Sequence, residues 1–348
     1  MKRLRTNYVS HRGLQPHLGW IGNLRKRRRN YSGIAYSRLN TAIAFVLVVA
    51  FFSIFSPNHL FIDPRNLTSM AKLIPDLGVV TLGVGILLIA GEFDLSVSSV
   101  LPLCSFLFTQ YLIAGIQPVP AFLFTLPAGA ALGFINGIIV VNSGLPSFII
   151  TLSTMMFWKG VLFSISKMMP ISIIQYVPSN SLFSKVLIGE LGPIPVQILW
   201  LLAIALILGL FLRRNKIGNW IYAIGSNQQA ARAMGIYIGI VKTGLYMLIG
   251  VLCAFASVMQ ASRLGSFAAT QGVGFELQAI AAVVVGGTSL RGGVGSMWSI
   301  LLGLLIVKTL ETGLILMRIP VFGVDAFIGV AVILFVILND FMNRRSEG

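Results

Sequence analysis

Two carboxylates, Glu92 and Asp94, stand two residues apart in "AGEFDLSVSSV" (Ala90 to Val100), between two long apolar runs. A charged side chain at the centre of a membrane-spanning helix costs about 2.5–3.5 kcal/mol on insertion scales. Acids at such a place therefore mark a helix end or a route for something polar. Gly91 breaks the helical pattern, and Asp94-Leu95-Ser96 reads as the start of a new helix with Asp94 or Ser96 as its cap. Two structures fit: a capped turn at the cytoplasmic surface, or a discontinuous helix beside a substrate path. Lys159, Glu276, Lys308, Glu311 and Asp325 also fall in or near apolar runs. Lys308 and Glu311 are three apart and can pair on one helix face, whereas Glu276 and Asp325 fall towards the outer ends of their runs. Glu92, Asp94, Ser96 and Glu311 are the candidates for a translocation path.

Catalytic chemistry has no comparable candidates. The sequence contains no Gly-Lys pair, hence no phosphate-binding P-loop, and no GxGxxG, HExxH or GxSxG. His11, His17 and His59 lie outside the apolar runs, which leaves a His-metal site in a bundle unsupported. Cys104 and Cys253 sit within apolar runs and read as small core residues. No catalytic residue, metal or cofactor is expected. Uphill movement of a solute would need an ion gradient or energy from another subunit.

The elements that position these residues follow from composition. Of 348 residues, 56% are hydrophobic and 10% charged, against about 25% charged in a typical soluble domain; the mean hydropathy is +0.88. The expected fold is all-α and polytopic, with about ten transmembrane helices and both termini cytoplasmic. The apolar runs place spans near residues 41–56, 74–91, 97–116, 119–141, 146–166, 195–212, 243–262, 276–290, 296–316 and 320–339. The span at 276–290 is short, and 119–141 is interrupted by Pro127 and glycines. Residues 1–40 form a basic cytoplasmic segment, 213–242 a cytoplasmic loop and 340–348 a cytoplasmic tail. The first apolar run begins only near Thr41, so no cleaved signal peptide is expected.

Charge supports that orientation. Segments 1–38 and 213–242 hold fifteen Lys or Arg and no acid, the asymmetry of cytoplasmic flanks. Outer segments such as 57–73 (Asp63, Arg65, Lys72) and 167–194 (Lys167, Lys185, Glu190) are mixed. The net charge of +16 thus reflects topology and membrane lipid, not nucleic acid. Small-residue clusters at Pro127 to Gly137, Val283 to Leu290 and Gly292 to Ser296 suit close helix–helix packing in lipid.

Within the cytoplasmic loop, "GSNQQAARAMGI" (Gly225 to Ile236) can form a short helix over Gln228 to Met234, capped by Ser226 or Asn227 and stopped by Gly235. Taken with "GEFDLSVSS" (Gly91 to Ser99) and "GVGFELQAIAAVVVGGTSLRGGVGS" (Gly272 to Ser296), it resembles the ribose-type sugar ABC transporter permeases, in the family's order and from about Thr41 to Asn339. The resemblance implies import of a monosaccharide across the cytoplasmic (inner) membrane of a bacterium. It implies a second permease subunit, cytoplasmic ATP-binding subunits and a periplasmic solute-binding protein.

The resemblance also implies that the loop docks on the ATPase through Gly225, Asn227, Ala230, Ala231, Arg232, Gly235 and Ile236. Ala230, Ala231 and Ala233 would permit close insertion into a groove, with Arg232 as a charged anchor. An amphipathic helix lying on lipid is the alternative, and the apolar face of three alanines and Met234 is weak for it. Family members more often carry Gly at the positions of Glu92 and Ser98, and Asn near Glu311. A gradient-driven carrier using Glu92, Asp94, Glu311 or Asp325 is the rival function.

Overall fold

The computed structural model describes residues 41–320, 323–324, 326–335 and 337; segment 1–40, Asp325 and the tail 340–348 lie outside the described residues. Helix α1 spans Thr41–Phe55, and a 3-10 turn at Pro57–Ile62 leads into α2, Pro64–Ile89. Then come α3, Val97–Ile113, α4, Pro118–Ser143, and α5, Ser147–Ser166. A connecting region holds β1, Ile171–Ser172, α6, Leu182–Ile188, β2, Glu190–Leu191, and β3, Ile194–Pro195. The chain continues through α7, Val196–Arg214, α8, Lys216–Ser226, α9, Gln228–Ala233, and α10, Ile238–Leu264. It closes with β4, Ser266–Phe267, α11, Phe275–Val285, α12, Met297–Leu316, and α13, Ala326–Phe335. Among the described residues, six helices (α2, α4, α5, α7, α10 and α12) are long and apolar enough to cross a membrane, and α1, α3, α11 and α13 are shorter apolar helices.

Several boundaries differ from the sequence expectation, each for a local reason. The span expected from residue 74 starts at Pro64, because Asp63 accepts from Arg65 N and Pro64 fits the first helical turn. Pro127 does not interrupt α4, which is continuous across it. Proline is tolerated in membrane helices because neighbouring groups can satisfy the freed carbonyl. The run at 276–290 is helical only as far as Val285, after which Gly287 turns with φ +85°. The loop at 213–242 is mostly helix, in α8, α9 and the first turn of α10. The segment at 167–194 folds into two small antiparallel ladders, β1 with β4 and β2 with β3, around α6.

Helix α2 is the centre. Its most apolar stretch is 89% buried, whereas that of α5 is 11% buried, so α5 sits at the periphery. A helix apolar on all sides and enclosed by others is what a bundle interior requires. Around α2 pack α10, α11, α7 and α12. Helices α4 and α10 cross through glycine. A methyl group on Gly250 would lie 2.0 Å from the Gly129 carbonyl oxygen, and one on Gly133 would lie 2.1 Å from that of Tyr246. Lipid tails give apolar side chains no reason to leave them for one another, so this close backbone packing is what holds such a pair.

Gly250→Val should therefore force α4 and α10 apart. Overpacking of this kind costs roughly 1–3 kcal/mol, and the detergent-solubilised protein should melt several degrees lower by a fluorescence-monitored thermal scan. Gly160→Val, at a position with no foreign atom within 4 Å, should leave the melting point unchanged.

Candidate functional site

The segment between α2 and α3 is a buried break. Helix α2 ends in a Schellman turn: Gly91 takes φ +81°, Gly91 N donates to Leu88 O at 2.9 Å and Glu92 N to Leu87 O at 3.1 Å. The chain then runs without regular structure to Ser96, and Glu92, Asp94, Leu95 and Ser96 are all buried. Two helices supply side chains to its backbone, and a third, α4, to the Ser96 hydroxyl. Ser147 Oγ of α5 accepts from Phe93 N at 3.0 Å and Thr151 Oγ1 from Leu95 N at 3.2 Å, while Tyr246 of α10 donates to Phe93 O at 2.9 Å. Asp94 Oδ1 accepts from Ser96 N at 2.8 Å and Ser96 Oγ at 2.6 Å, and Asn136 Nδ2 of α4 donates to the same hydroxyl at 2.6 Å.

The break is enclosed by α4, α5 and α10. Ser96 stands at the N-cap position, but its side chain makes no capping bond; Asp94 closes the turn instead. Lys242, expected in the cytoplasmic loop, lies in α10 and pairs its ammonium with the Glu92 carboxylate inside the protein.

The three sequence motifs meet here. Gly293 N donates to Ile89 O at 2.8 Å. A methyl on Gly225, near the end of α8, would stand 1.9 Å from Ile89 O and 2.4 Å from Gly293 N, and one on Gly292 2.8 Å from Gly91 Cα. Gly225 thus belongs to this backbone junction and not to an outward-facing surface. Tyr222 of α8 ties the same loop by donating to Gly295 O at 3.0 Å.

Helix α9 forms as its sequence predicts. Asn227 is the cap, with Oδ1 accepting from Ala230 N at 3.0 Å, whereas Ser226 ends α8 and donates to Tyr222 O. Gly235 stops it with φ +78°, and Gly235 N to Arg232 O at 3.0 Å and Ile236 N to Ala231 O at 3.2 Å complete a Schellman turn. Burial corrects the expected docking face. Ala231 is fully enclosed and Ile236 nearly so, so both seat the helix on the bundle and cannot enter a partner's groove. Gln228, Gln229, Ala230, Arg232, Ala233 and Met234 are exposed. Beside α9 opens a cleft of about 570 Å³, bounded by Gln228, Arg232, Glu92, Lys242, Ser147 and the α4–α5 turn at Gly144 to Pro146, with Val140, Val141 and Phe148 adding apolar walls.

Glu311 is not at this site. It lies fourteen residues along α12 from Met297, roughly 21 Å at 1.5 Å per residue, where Lys308 Nζ donates to it at 2.7 Å. Elsewhere in the bundle, Arg263 of α10 pairs with Asp76 of α2. Sequence reading missed Asp76 and Arg263, although a lone acid inside an apolar run is the signal that would have found Asp76. Of the other acids and lysines considered, Lys159 lies over the Phe163 ring on peripheral α5. Glu276 sits in the first turn of α11, where the helix dipole favours a carboxylate; Asp325 is outside the described residues.

Ser147→Ala would leave the Phe93 N–H without its acceptor inside the bundle, at a cost of about 1–3 kcal/mol. Amide exchange in a peptide covering residues 91–96 should accelerate relative to the wild type, with α12 peptides unchanged. Equal protection in both proteins would mean that Ser147 does not hold the break.

Comparison with known proteins agrees with this arrangement. The family described as "Branched-chain amino acid transport system / permease component" matches residues 66–338. A ribose import permease protein of Bacillus subtilis (strain 168) is 32% identical over 314 residues, covering 90% of this chain and 96% of the relative. A D-allose transport system permease protein of Escherichia coli (strain K12) is 31% identical over 313 residues, 89% of this chain and 93% of the relative. A xylose/arabinose import permease protein of Sulfolobus acidocaldarius is 28% identical over 308 residues, 86% and 84% respectively. With its three motifs converging on one backbone junction, the chain belongs to the family of ribose-type sugar ABC transporter permeases.

Proposed function

We propose that this chain is the membrane-spanning subunit of an ATP-driven importer of a monosaccharide, with ATP hydrolysed in a separate cytoplasmic subunit that docks on α9. The observation that carries the reading is the two-sided construction of α9. Ala231 and Ile236 hold it to the bundle, while Ala230, Arg232 and Ala233 face outward. Six long and four shorter apolar helices support a ten-span arrangement in a bacterial inner membrane. Five basic residues and no acid in 213–242 support a cytoplasmic position for α9. The remaining partners in this reading are a second permease subunit and an extracytoplasmic binding protein. Relatives named for ribose, D-allose and xylose/arabinose support a monosaccharide over the amino acids in the family's description.

The gradient-driven alternative is less well supported. Of its acids, Glu92 and Glu311 each hold a cation and Asp94 accepts two bonds from Ser96, so none of these three is an open site for a coupling ion; Asp325 lies outside the described residues.

Two measurements test the reading. A cysteine at Gln229 should be shielded from an impermeant thiol reagent in intact cells, while one at Asn180, in the segment before α6, should react. Arg232→Glu and Ala230→Trp, on the outward face, should abolish co-purification of the ATPase subunit without lowering the melting point, since like charges brought together at an interface cost several kcal/mol. Ala231→Trp should instead destabilise the permease itself. Full ATPase binding by both outward variants would show that α9 is a surface helix with no partner.

A further inference from the structure

We propose that the buried Lys242–Glu92 ion pair is the link through which α9 positions the helix break at residues 91–96. The proposal deepens the importer reading and rests on it. Helix α9 reaches the break through α10: the Schellman turn at Gly235, with Ile236 and Ile238 buried beneath it, joins α9 to the first turn of α10. A displacement of α9 therefore carries the start of α10 with it. Lys242 and Tyr246 stand four apart on α10 and so share one face. Lys242 holds Glu92, and Tyr246 donates to the carbonyl of the next residue, Phe93.

The two sides of the break differ in packing. Around Asp94, Ser96 and Asn136 there is no room even for a water molecule, and that side is fixed to α4. The Lys242–Glu92 side lines the cleft of about 570 Å³, together with Gln228 and Arg232 of α9. The break is thus held by α4 and α5 on its packed side and meets α10 through Lys242 and Tyr246 at the edge of the cleft. A buried ion pair is a weak device for stability, because an apolar pair of similar volume often serves as well. What an apolar pair lacks is a directional bond that holds one backbone segment to one helix face.

The test uses the complete complex in nanodiscs: permease, ATPase subunits, and the binding protein loaded with whichever of ribose, allose, xylose or arabinose raises its melting point. Glu92→Gln with Lys242→Met removes both charges without stranding either. This double variant should retain its ATPase subunits while stimulation of hydrolysis by the loaded binding protein falls by about tenfold, a typical coupling between sites. The reversed pair, Glu92→Lys with Lys242→Glu, should recover most of that stimulation. Wild-type stimulation in the neutral double variant would overturn the proposal, and so would a reversed pair that stays as low as the neutral one. Loss of the ATPase subunits from the neutral variant would also overturn it, by placing the pair in the docking surface. A wild-type permease that binds no ATPase subunit would overturn the importer reading first, and this inference with it.

Discussion

A backbone N–H or carbonyl without a partner costs several kcal/mol in hydrocarbon, and the six residues from Gly91 to Ser96 leave the helix inside the bundle. That constraint organises the centre of the molecule. Ser147 and Thr151 of α5 and Tyr246 of α10 each close one of its backbone bonds, and Asn136 of α4 holds the Ser96 hydroxyl. These bonds form only while α4, α5 and α10 keep their places relative to the end of α2. The glycine crossing of α4 on α10 meets that demand, because backbones in contact leave little freedom to slide.

The second consequence is the junction of Gly91, Gly225 and Gly293. A side chain on Gly225 would displace the Ile89 main chain and one on Gly293 would press on Ser226, while Gly91 is needed for its φ of +81°. The junction joins the end of α2, the end of α8 and the loop before α12, so the helices leading to α9 are fixed to the same point as the break. From there α10 runs the length of the bundle with an ion pair to α2 or its exit near each end: Lys242 to Glu92, and Arg263 to Asp76. Both ends of α10 are therefore tied to α2 or to the segment that follows it.

Much of this was legible in the sequence because membrane constraints are local. Twenty apolar residues, a Gly at a helix stop, an Asn before "QQAARA" and a basic loop without acids are each read from neighbours in the chain, and α9 with its Asn227 cap and Gly235 stop follows from them. Long-range partners have no such signature. Lys242 and Glu92 are 150 residues apart and Arg263 and Asp76 are 187 apart; one lysine looked like part of a basic loop and one acid was lost in an apolar run. The inward turn of Ala231 was hidden for another reason: six residues of helix with three alanines have no hydrophobic face strong enough to show which side is covered. Proline misled at residue 127, since its penalty belongs to helices in water more than to those packed among others in lipid.

The central claim is that the chain itself holds no energy source and moves its solute only through partners that act on α9 and the break. Uptake of a radiolabelled monosaccharide into proteoliposomes tests it most directly. With ATP beside the ATPase subunits and loaded binding protein on the opposite side, the assembled complex should accumulate sugar, and a proton uncoupler should leave the rate unchanged. Accumulation by the permease alone under an imposed proton or sodium gradient, without ATP, would contradict the account.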